Sequence, residues 1–452
     1  MNPYYYIIIF SSVIIFSYMF NSISNKTNLP SVILLIGIGL FIQFLCNVFN
    51  IDNIQYQSQL EILGIIGVIL IVLEAVLDLK IKKDKIGLIL KSIISSIIGI
   101  AGCTYLISFV FRFFLGLDLN MSILYSLPLA VLSSAIVIPS VVNLKENNKE
   151  FLIYESIFSD IIGIIVFYAF LKTIPIVDTL DLSGHNSHFN IMHELKSILI
   201  TILFSVVISF FIIFLFKKIK AQTKLFFLLS VLFLLYSVGK LFHLSSLIIV
   251  LIFGLIVSYQ NTQNEKHIDD DENDTDDLED SNKIKTYSIY DNFKVEKEFF
   301  HDLDLITKES AFLVRTFFFV VFGFSISIKS LLNLDVIICG VIVFLAIFLF
   351  RYIKILLFNG KIISILFGIA PRGLITVLLF FSIPEHFYQE SNLMEIIQGV
   401  MLFIILGTSF FMAYSLMQNS KIQSEEDVEL DILNSEEVEL NSSVEEDENL
   451  DD

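Results

Sequence analysis

Charged residues are scarce in this sequence, and their scarcity excludes most soluble folds. They make up 17% of the 452 residues, whereas a soluble domain usually has about 25%. Apolar residues make up 55% of the chain. Since one membrane-spanning helix uses about 20 apolar residues, this content is enough for on the order of a dozen helices. The composition excludes parallel-sheet and sandwich folds and a nucleic-acid binder, and it predicts an all-α polytopic protein embedded in a lipid bilayer.

Motifs for a metal or a cofactor are also few. Cys46, Cys103 and Cys339 lie inside apolar segments with neither metal-ligand nor disulfide spacing, so we expect them to be packing residues. No HExxH motif occurs, and no cofactor is expected. His185 and His188, in the predicted external loop 175–194, leave a metal site open as an alternative, although a solvated polar loop is favoured.

The net charge of -18 comes from two segments. Residues 265–280 contain ten acidic residues and one lysine, and residues 424–452 contain fourteen acidic residues and no basic one. The rest of the chain therefore carries +5. We expect an acidic cytoplasmic loop over 260–308 and a disordered acidic tail over 418–452, because such charge density is typical of solvated segments.

Hydropathy predicts thirteen spans, and we expect the first to be a membrane span of the protein rather than a cleaved signal peptide. No basic residue precedes this first span and no small-residue cleavage site follows it, unlike a signal peptide. The predicted spans cover residues 4–21, 30–49, 60–79, 86–115, 121–143, 152–174, 195–216, 224–241, 243–259, 309–329, 334–358, 361–383 and 394–417.

Lysine clusters predict the orientation. Basic residues accumulate in cytoplasmic loops, and lysines follow the third, fifth and seventh spans, which end on one side if the spans alternate. The N-terminus is therefore expected outside and the C-terminus in the cytoplasm. The lysines are Lys80, Lys82, Lys83, Lys85, Lys145, Lys149, Lys217, Lys218, Lys220 and Lys224.

Two carboxylates of the sixth span have different expected surroundings. Asp160 lies roughly 13 Å into the span, near mid-membrane, whereas Glu155 lies near the cytoplasmic end, at the depth expected for Arg351. A charge inside the bilayer requires a partner or a function. Glu155 is thus predicted to pair with Arg351, and Asp160, without such a cation, to exchange a proton for a metal ion. The alternative for Asp160 is a hydrogen-bonded contact between helices.

Two spans carry helix-breaking residues at corresponding positions. The fifth contains the Leu-Ser-Ser-Ala-Ile-Val-Ile-Pro segment over 132–139, and the twelfth contains the Gly-Ile-Ala-Pro-Arg-Gly segment over 368–373. Proline frees backbone carbonyls, and paired interrupted spans are typical of transporters with inverted repeats and a midplane site. Broken helices 5 and 12 are therefore predicted, with two simple proline kinks as the alternative.

These residues resemble the monovalent cation:proton antiporter superfamily, the relatives of sodium/proton exchangers. Glu155-Ser156-Ile-Phe-Ser159-Asp160 is similar to the family's Glu-Ser-x-x-Asn-Asp signature, and the segment containing Arg372 and Gly373 is similar to its Arg-Gly segment. Three further matches are Arg351, the segment from Leu73-Glu74 to Lys80, and the segment from His243 to Leu255.

The resemblance implies a homodimer in the cell membrane that transports cations and protons by alternating access. It divides the chain into scaffold helices (1–85 and 224–333), mobile core helices (86–174 and 334–417), an external loop with a linker helix (175–223), and the tail 418–452.

The resemblance also assigns roles to the site residues. Asp160 would bind either a proton or a cation, and Arg372 would oppose carboxylate and half-helix charge at the crossover. Glu155 and Arg351 would join two helices. The expected oxygen donors around Asp160 are Ser133, Ser134, Ser156, Ser159 and carbonyls around Ala135.

The choice of ion stays open at this stage. Ser159 replaces the family's Asn or Asp, and Ser133-Ser134-Ala135 is closer to the potassium-efflux branch. Na+ is expected, with K+ or Li+ as alternatives and one proton per cation as the expected stoichiometry. Alternatives of other classes are an intramembrane enzyme and a membrane sensor with a partner-recruiting tail.

Overall fold

The computed structural model describes most of the chain. The described residues are 3–27, 30–48, 57–77, 85–142, 144–174, 203–211, 224–241, 249–258, 297–325, 333–359, 364–384, 387 and 391–448. The external loop with His185 and His188, Lys80 and the segment 243–246 lie outside these residues, so the predictions made on them stay predictions.

Every regular element in the described ranges is a helix, except for isolated turns. In chain order the helices are α1 (Pro3–Thr27), α2 (Ser31–Val48), α3 (Gln57–Leu77), α4 (Ile86–Leu115), α5 (Leu119–Ala130), α6 (Ser134–Ser140), α7 (Glu146–Thr173), α8 (203–211), α9 (Lys224–Leu241), α10 (Ile249–Ser258), α11 (Lys297–Ser325), α12 (Leu334–Asn359), α13 (Ser364–Gly368), α14 (Leu374–Phe381) and α15 (Ser391–Glu448).

Six stretches in the described residues are long and apolar enough to cross a membrane. They lie in α1, α4, α5 with α6, α7, α12 and α15, and shorter apolar helices lie in α2, α3, α9 and α10. Large apolar side chains such as Tyr105 and Phe113 remain exposed on the outer surface, where lipid would cover them. The predicted all-α polytopic class is confirmed. The count of thirteen spans stays a prediction, because parts of several spans lie outside the described residues.

The structure extends α11 into the predicted acidic loop 260–308. The helix begins at Lys297, twelve residues before the predicted span. Leu303, Thr307 and Ala311 are fully buried, and their spacing of four places them on one helix face. The sequence pattern from Val295 to Leu305 indicates a surface helix here, and the structure joins this helix to the span, whose start hydropathy placed at residue 309 because polar residues alternate with the buried ones.

Helix α15 continues to Glu448, within the segment 418–452, and the disorder of this tail stays a prediction. The acidic segment contains many glutamates and several leucines, which are strong helix formers.

The helices pack in two groups that meet beside the interrupted helices. The first group contains α1, α2, α3, α9 and α11, and the second contains α4, α5, α6, α7, α12, α13 and α15. Helix α14 contacts α3 of the first group and α5 and α7 of the second. Its position brings the second interrupted segment against the first.

The backbones of α2 and α11 approach each other closely. A Cβ atom built on Gly39 would lie 2.2 Å from the Val320 carbonyl oxygen, and one built on Gly323 would lie 2.4 Å from the Ile36 carbonyl oxygen. Small residues allow helix backbones to approach in this way inside a membrane.

Candidate ion-binding site

Two non-helical segments touch at the centre of the protein. The first, residues 131–133, separates α5 from α6, and the second, residues 369–373, separates α13 from α14. The Ser133 N–H donates to the Pro371 carbonyl at 3.1 Å. A Cβ atom on Gly373 would lie only 2.6 Å from the Ser133 hydroxyl oxygen, so glycine permits this approach. This contact between the two interrupted segments, residues 131–133 and 369–373, joins the two halves of the chain and is called the crossing below.

The first interruption, residues 131–133, lies at the start of the predicted segment 132–139 and before Pro139. Pro139 is inside α6, and the chain leaves the helix at Val131. Proline has no N–H for the carbonyl four residues earlier, and in α6 that carbonyl belongs to Ala135.

Arg372 lies inside the crossing and binds backbone carbonyls. The residue is 2% exposed. Its Nε donates to the Leu129 carbonyl at 2.6 Å and its Nη1 to the Ala370 carbonyl at 3.3 Å. Leu129 belongs to the last turn of α5, where carbonyls carry partial negative charge. The guanidinium therefore caps a helix end within the protein.

Asp160 is buried in α7 beside the first interruption. The residue is 3% exposed. Its Oδ2 accepts a hydrogen bond from the Ser134 N–H, at the start of α6, at 3.0 Å, and its Oδ1 has no hydrogen-bond partner. Among the residues that the structure describes, no lysine or arginine forms a salt bridge with it. The carboxyl group therefore has a free oxygen in a buried site.

The other predicted donors surround the same interruption and bond differently. The Ser159 Oγ accepts from the Leu132 N–H at 2.9 Å, so it holds the interrupted backbone. The Ser156 Oγ donates to the Ile153 carbonyl of its own helix at 3.0 Å. The Ser133 hydroxyl is buried without a hydrogen-bond partner, which makes it a second unsatisfied oxygen of the crossing.

Glu155 is bonded to two cations and not to one. Its Oε2 accepts from Arg351 Nη1 at 2.7 Å, and its Oε1 accepts from Lys354 Nζ at 2.5 Å and from the Ser95 Oγ at 2.6 Å. Glu155 is fully buried, and Arg351 is 3% exposed. Arg351 also donates through Nε to the Leu366 carbonyl of α13 at 3.0 Å.

Sequence reasoning gave Lys354 and Ser95 no role at this cluster. Lys354 lies three residues after Arg351, so the two cations share a helix face, and this spacing was the available signal. For Ser95 no signal existed, because its contact depends on how α4 packs against α7.

A cavity of about 500 Å³ extends from the crossing towards the end of the protein where α3 ends and α7 begins. It is lined near the crossing by Ser134 and Ala135, and further out by Glu74, Lys308 and Arg315. Arg315 Nη2 donates to Glu74 Oε2 at 2.7 Å. Arg315 was missed in the sequence, although it is a charged residue inside a predicted span, which was a usable signal.

A helical membrane protein with two interrupted helices that cross beside a buried carboxyl group has the architecture of a secondary transporter. The model of the transmembrane sodium/hydrogen exchanger family matches residues 10–415. The chain belongs to this family, which confirms the resemblance seen in the sequence. It is therefore a transporter of cations and protons rather than an enzyme, and the intramembrane-enzyme alternative is excluded.

Two solved structures of the sodium proton antiporter MjNhaP1 from Methanocaldococcus jannaschii have a similar fold. The structure at pH 8 is 19% identical and has a TM-score of 0.66, with 92% of this chain and all of that chain covered. A second structure, from electron microscopy, is also 19% identical and has a TM-score of 0.58, with 94% and 97% covered. No curated protein matches the chain significantly.

Proposed function

We propose that the protein exchanges a monovalent cation for a proton by alternating access, and that Asp160 is the shared site. The proton and the cation bind the same carboxyl group in turn. In this proposal the site becomes accessible from the other side of the membrane only when the group is occupied by one of them. This exclusive occupation couples the two fluxes.

The free oxygen of Asp160 is the observation that carries this proposal. Its Oδ1 is buried without a hydrogen bond, while Oδ2 is held by the Ser134 N–H. A buried polar atom without a partner is costly, and either a bound proton or a bound cation removes this cost. The cavity that reaches Ser134 supplies a route for both.

The proposed cation is Na+, with K+ as the alternative. Oxygen ligands suit hard cations. The Ser133 hydroxyl lacks a partner, and the Ala135 carbonyl precedes a proline that has no N–H to offer it. We assign both to the cation shell together with Ser134, Ser156 and Ser159. One exchangeable carboxyl group in the crossing favours one proton per cation.

The Asp160→Asn variant tests the site. Asparagine keeps the shape of the side chain but cannot exchange a proton, so cation-dependent proton flux in proteoliposomes should fall to background for Na+, K+ and Li+ alike. Asp335→Asn is the matched control, because Asp335 is exposed in the first turn of α12 and its variant should keep wild-type flux. Retained flux in a folded Asp160→Asn variant would remove Asp160 from this role.

We also propose the orientation with the N-terminus outside and the C-terminus in the cytoplasm. The support is the series of lysine clusters, which follow spans that end on one side. Labelling of single cysteines introduced at exposed positions near Tyr4 and Gln418, from each side of the membrane, tests it.

A homodimer formed by the scaffold helices is the last part of the proposal. Helix α1 supports it, because residues such as Ile8, Phe16 and Met19 form an apolar face that remains exposed in the described part of the chain. Cross-linking in intact membranes, followed by the mass of the cross-linked species, distinguishes a dimer from a monomer whose α1 faces lipid.

A further inference from the structure

The charged residues that line the cavity have the wrong sign for a route that attracts cations. Among the described lining residues the charged ones are Glu74, Lys308 and Arg315, which together carry a net charge of +1. The remaining described lining residues are uncharged. A cation that moves through this cavity to the crossing therefore passes two positive side chains and one negative one.

These three residues lie where the cavity leads towards the site. Glu74 is on α3, and Lys308 and Arg315 are on α11, while the inner wall is formed by Ser134 and Ala135. The Ser134 N–H holds Asp160. Glu74 and Arg315 are each 19% exposed and bonded at 2.7 Å, and Lys308 is 42% exposed and bonded at 2.8 Å to Asp304, which is not among the described lining residues. A charge in such a partly exposed position acts on an ion in the cavity with only partial screening.

We propose that the balance of charge among Glu74, Lys308 and Arg315 sets the affinity of the site for the cation that arrives through this cavity. Arg315 and Lys308 weaken cation binding, and Glu74 strengthens it. None of the three needs to contact the ion, because the effect acts through the electrostatic potential of the cavity. This inference rests on the proposed function.

The electrostatic role and a purely structural ion pair predict different patterns. If the Glu74–Arg315 pair only holds α3 against α11, then removal of either partner harms transport in the same direction. If the charge balance matters, then Glu74→Gln and Arg315→Gln act in opposite directions. The first leaves a net charge of +2 and the second leaves zero, while the double variant restores the wild-type value of +1.

The experiment measures the apparent KM and the maximal rate of cation-dependent proton flux in everted membrane vesicles, which present the cytoplasmic face to the bath. Glu74→Gln should raise KM by about two- to tenfold and Arg315→Gln should lower it by a similar factor. The double variant should return to the wild-type KM. The maximal rate should change less than KM in all three.

Lys308→Gln is the matched control outside the pair. It makes the same charge change as Arg315→Gln but leaves the Glu74–Arg315 bond intact, so it should also lower KM. Arg315→Lys keeps the charge and should leave KM unchanged. All differences should shrink when choline chloride raises the ionic strength, because salt screens charges in partly exposed positions.

Shifts of KM in the same direction in Glu74→Gln and Arg315→Gln, or an unchanged KM in both, would overturn the proposal. If Arg315→Gln does not fold, an unchanged KM in Lys308→Gln would overturn it instead. Asp160→Asn, measured in parallel, distinguishes a failure of the proposed function from a failure of this inference. Flux in that variant would contradict the role of Asp160, whereas the role of the cavity charges is tested by the KM values of the other variants.

Discussion

Glu155 offers the most direct test of what holds the centre of the protein together. The variant Glu155→Gln keeps the size of the side chain and removes its charge. Arg351 and Lys354 would then remain buried at 3% and 4% exposure without the carboxylate that binds both. Removal of one partner from a buried ion pair typically costs about 3–5 kcal/mol, and two cations would lose their partner here. We expect a loss of stability at the upper end of that range.

Lys354→Met supplies the companion measurement. This change removes one cation but leaves Glu155 bonded to Arg351 at 2.7 Å and to Ser95 at 2.6 Å. One hydrogen bond to a charged group is lost, worth about 1.5–3 kcal/mol, and one ammonium no longer has to be buried. We therefore expect Lys354→Met to be milder than Glu155→Gln. The double variant should be more stable than the sum of the single effects predicts, because the substitutions share a partner.

The assay is the midpoint of thermal unfolding, measured by fluorescence-detected size-exclusion chromatography of a fusion protein in detergent. Glu146→Gln is the control, because Glu146 lies on the same helix with 70% exposure, 4.0 Å from Lys149, and exposed pairs contribute little. A wild-type midpoint for Glu155→Gln, or strictly additive effects in the double variant, would refute the reasoning.

Two further predictions concern stability. Gly39→Ala should lower the unfolding midpoint clearly, because its Cβ would lie 2.2 Å from the Val320 carbonyl oxygen. Gly37→Ala should not, because no atom outside its own stretch of helix lies within 4 Å of its Cβ. Equal midpoints for the two variants would contradict the close approach of α2 and α11. Outside the spans, the hydrogen bond to Glu150 raises the pKa of Lys85 above its ordinary value, so the pair stabilises the folded state as long as the lysine is protonated. The difference in midpoint between wild type and Lys85→Met should be constant near neutral pH and should disappear at strongly alkaline pH; a difference that persists there would contradict this role.

The sequence was sufficient for the fold class and for the main carboxylates. Charge inside an apolar span is costly, so Glu155, Asp160, Arg351 and Arg372 could be singled out without a structure. Depth counted along the helices also predicted that Glu155 and Arg351 would lie at one level, and they are bonded in the structure.

Contacts between helices could not be obtained from the sequence in the same way. The bonds from Lys354 and Ser95 to Glu155 depend on the rotation of α12 and α4 about their axes. The pattern from Val295 to Leu305 indicated a surface helix, but not that this helix continues into the span and is buried at Leu303. The segment over 132–139 indicated the first interruption, but the non-helical residues are 131–133 and Pro139 lies inside α6, because local propensity does not determine where tertiary contacts stop a helix.

The helix ends at the crossing show why Asp160 differs from the other charged groups there. The end of α5 is held by the Arg372 guanidinium, and the end of α13 is held by Arg351. Both partners are fixed charges, since arginine stays protonated in proteins. The start of α6 instead faces Asp160, whose Oδ2 accepts a hydrogen bond from the neutral Ser134 N–H. A negative charge at this position is partly balanced by the partial positive charge of a helix start, and no lysine or arginine in the described part of the chain forms a salt bridge with it. Glu155 is bonded directly to two cations, and this difference supports the proposal that Asp160 is the exchanging group and that Glu155 is not.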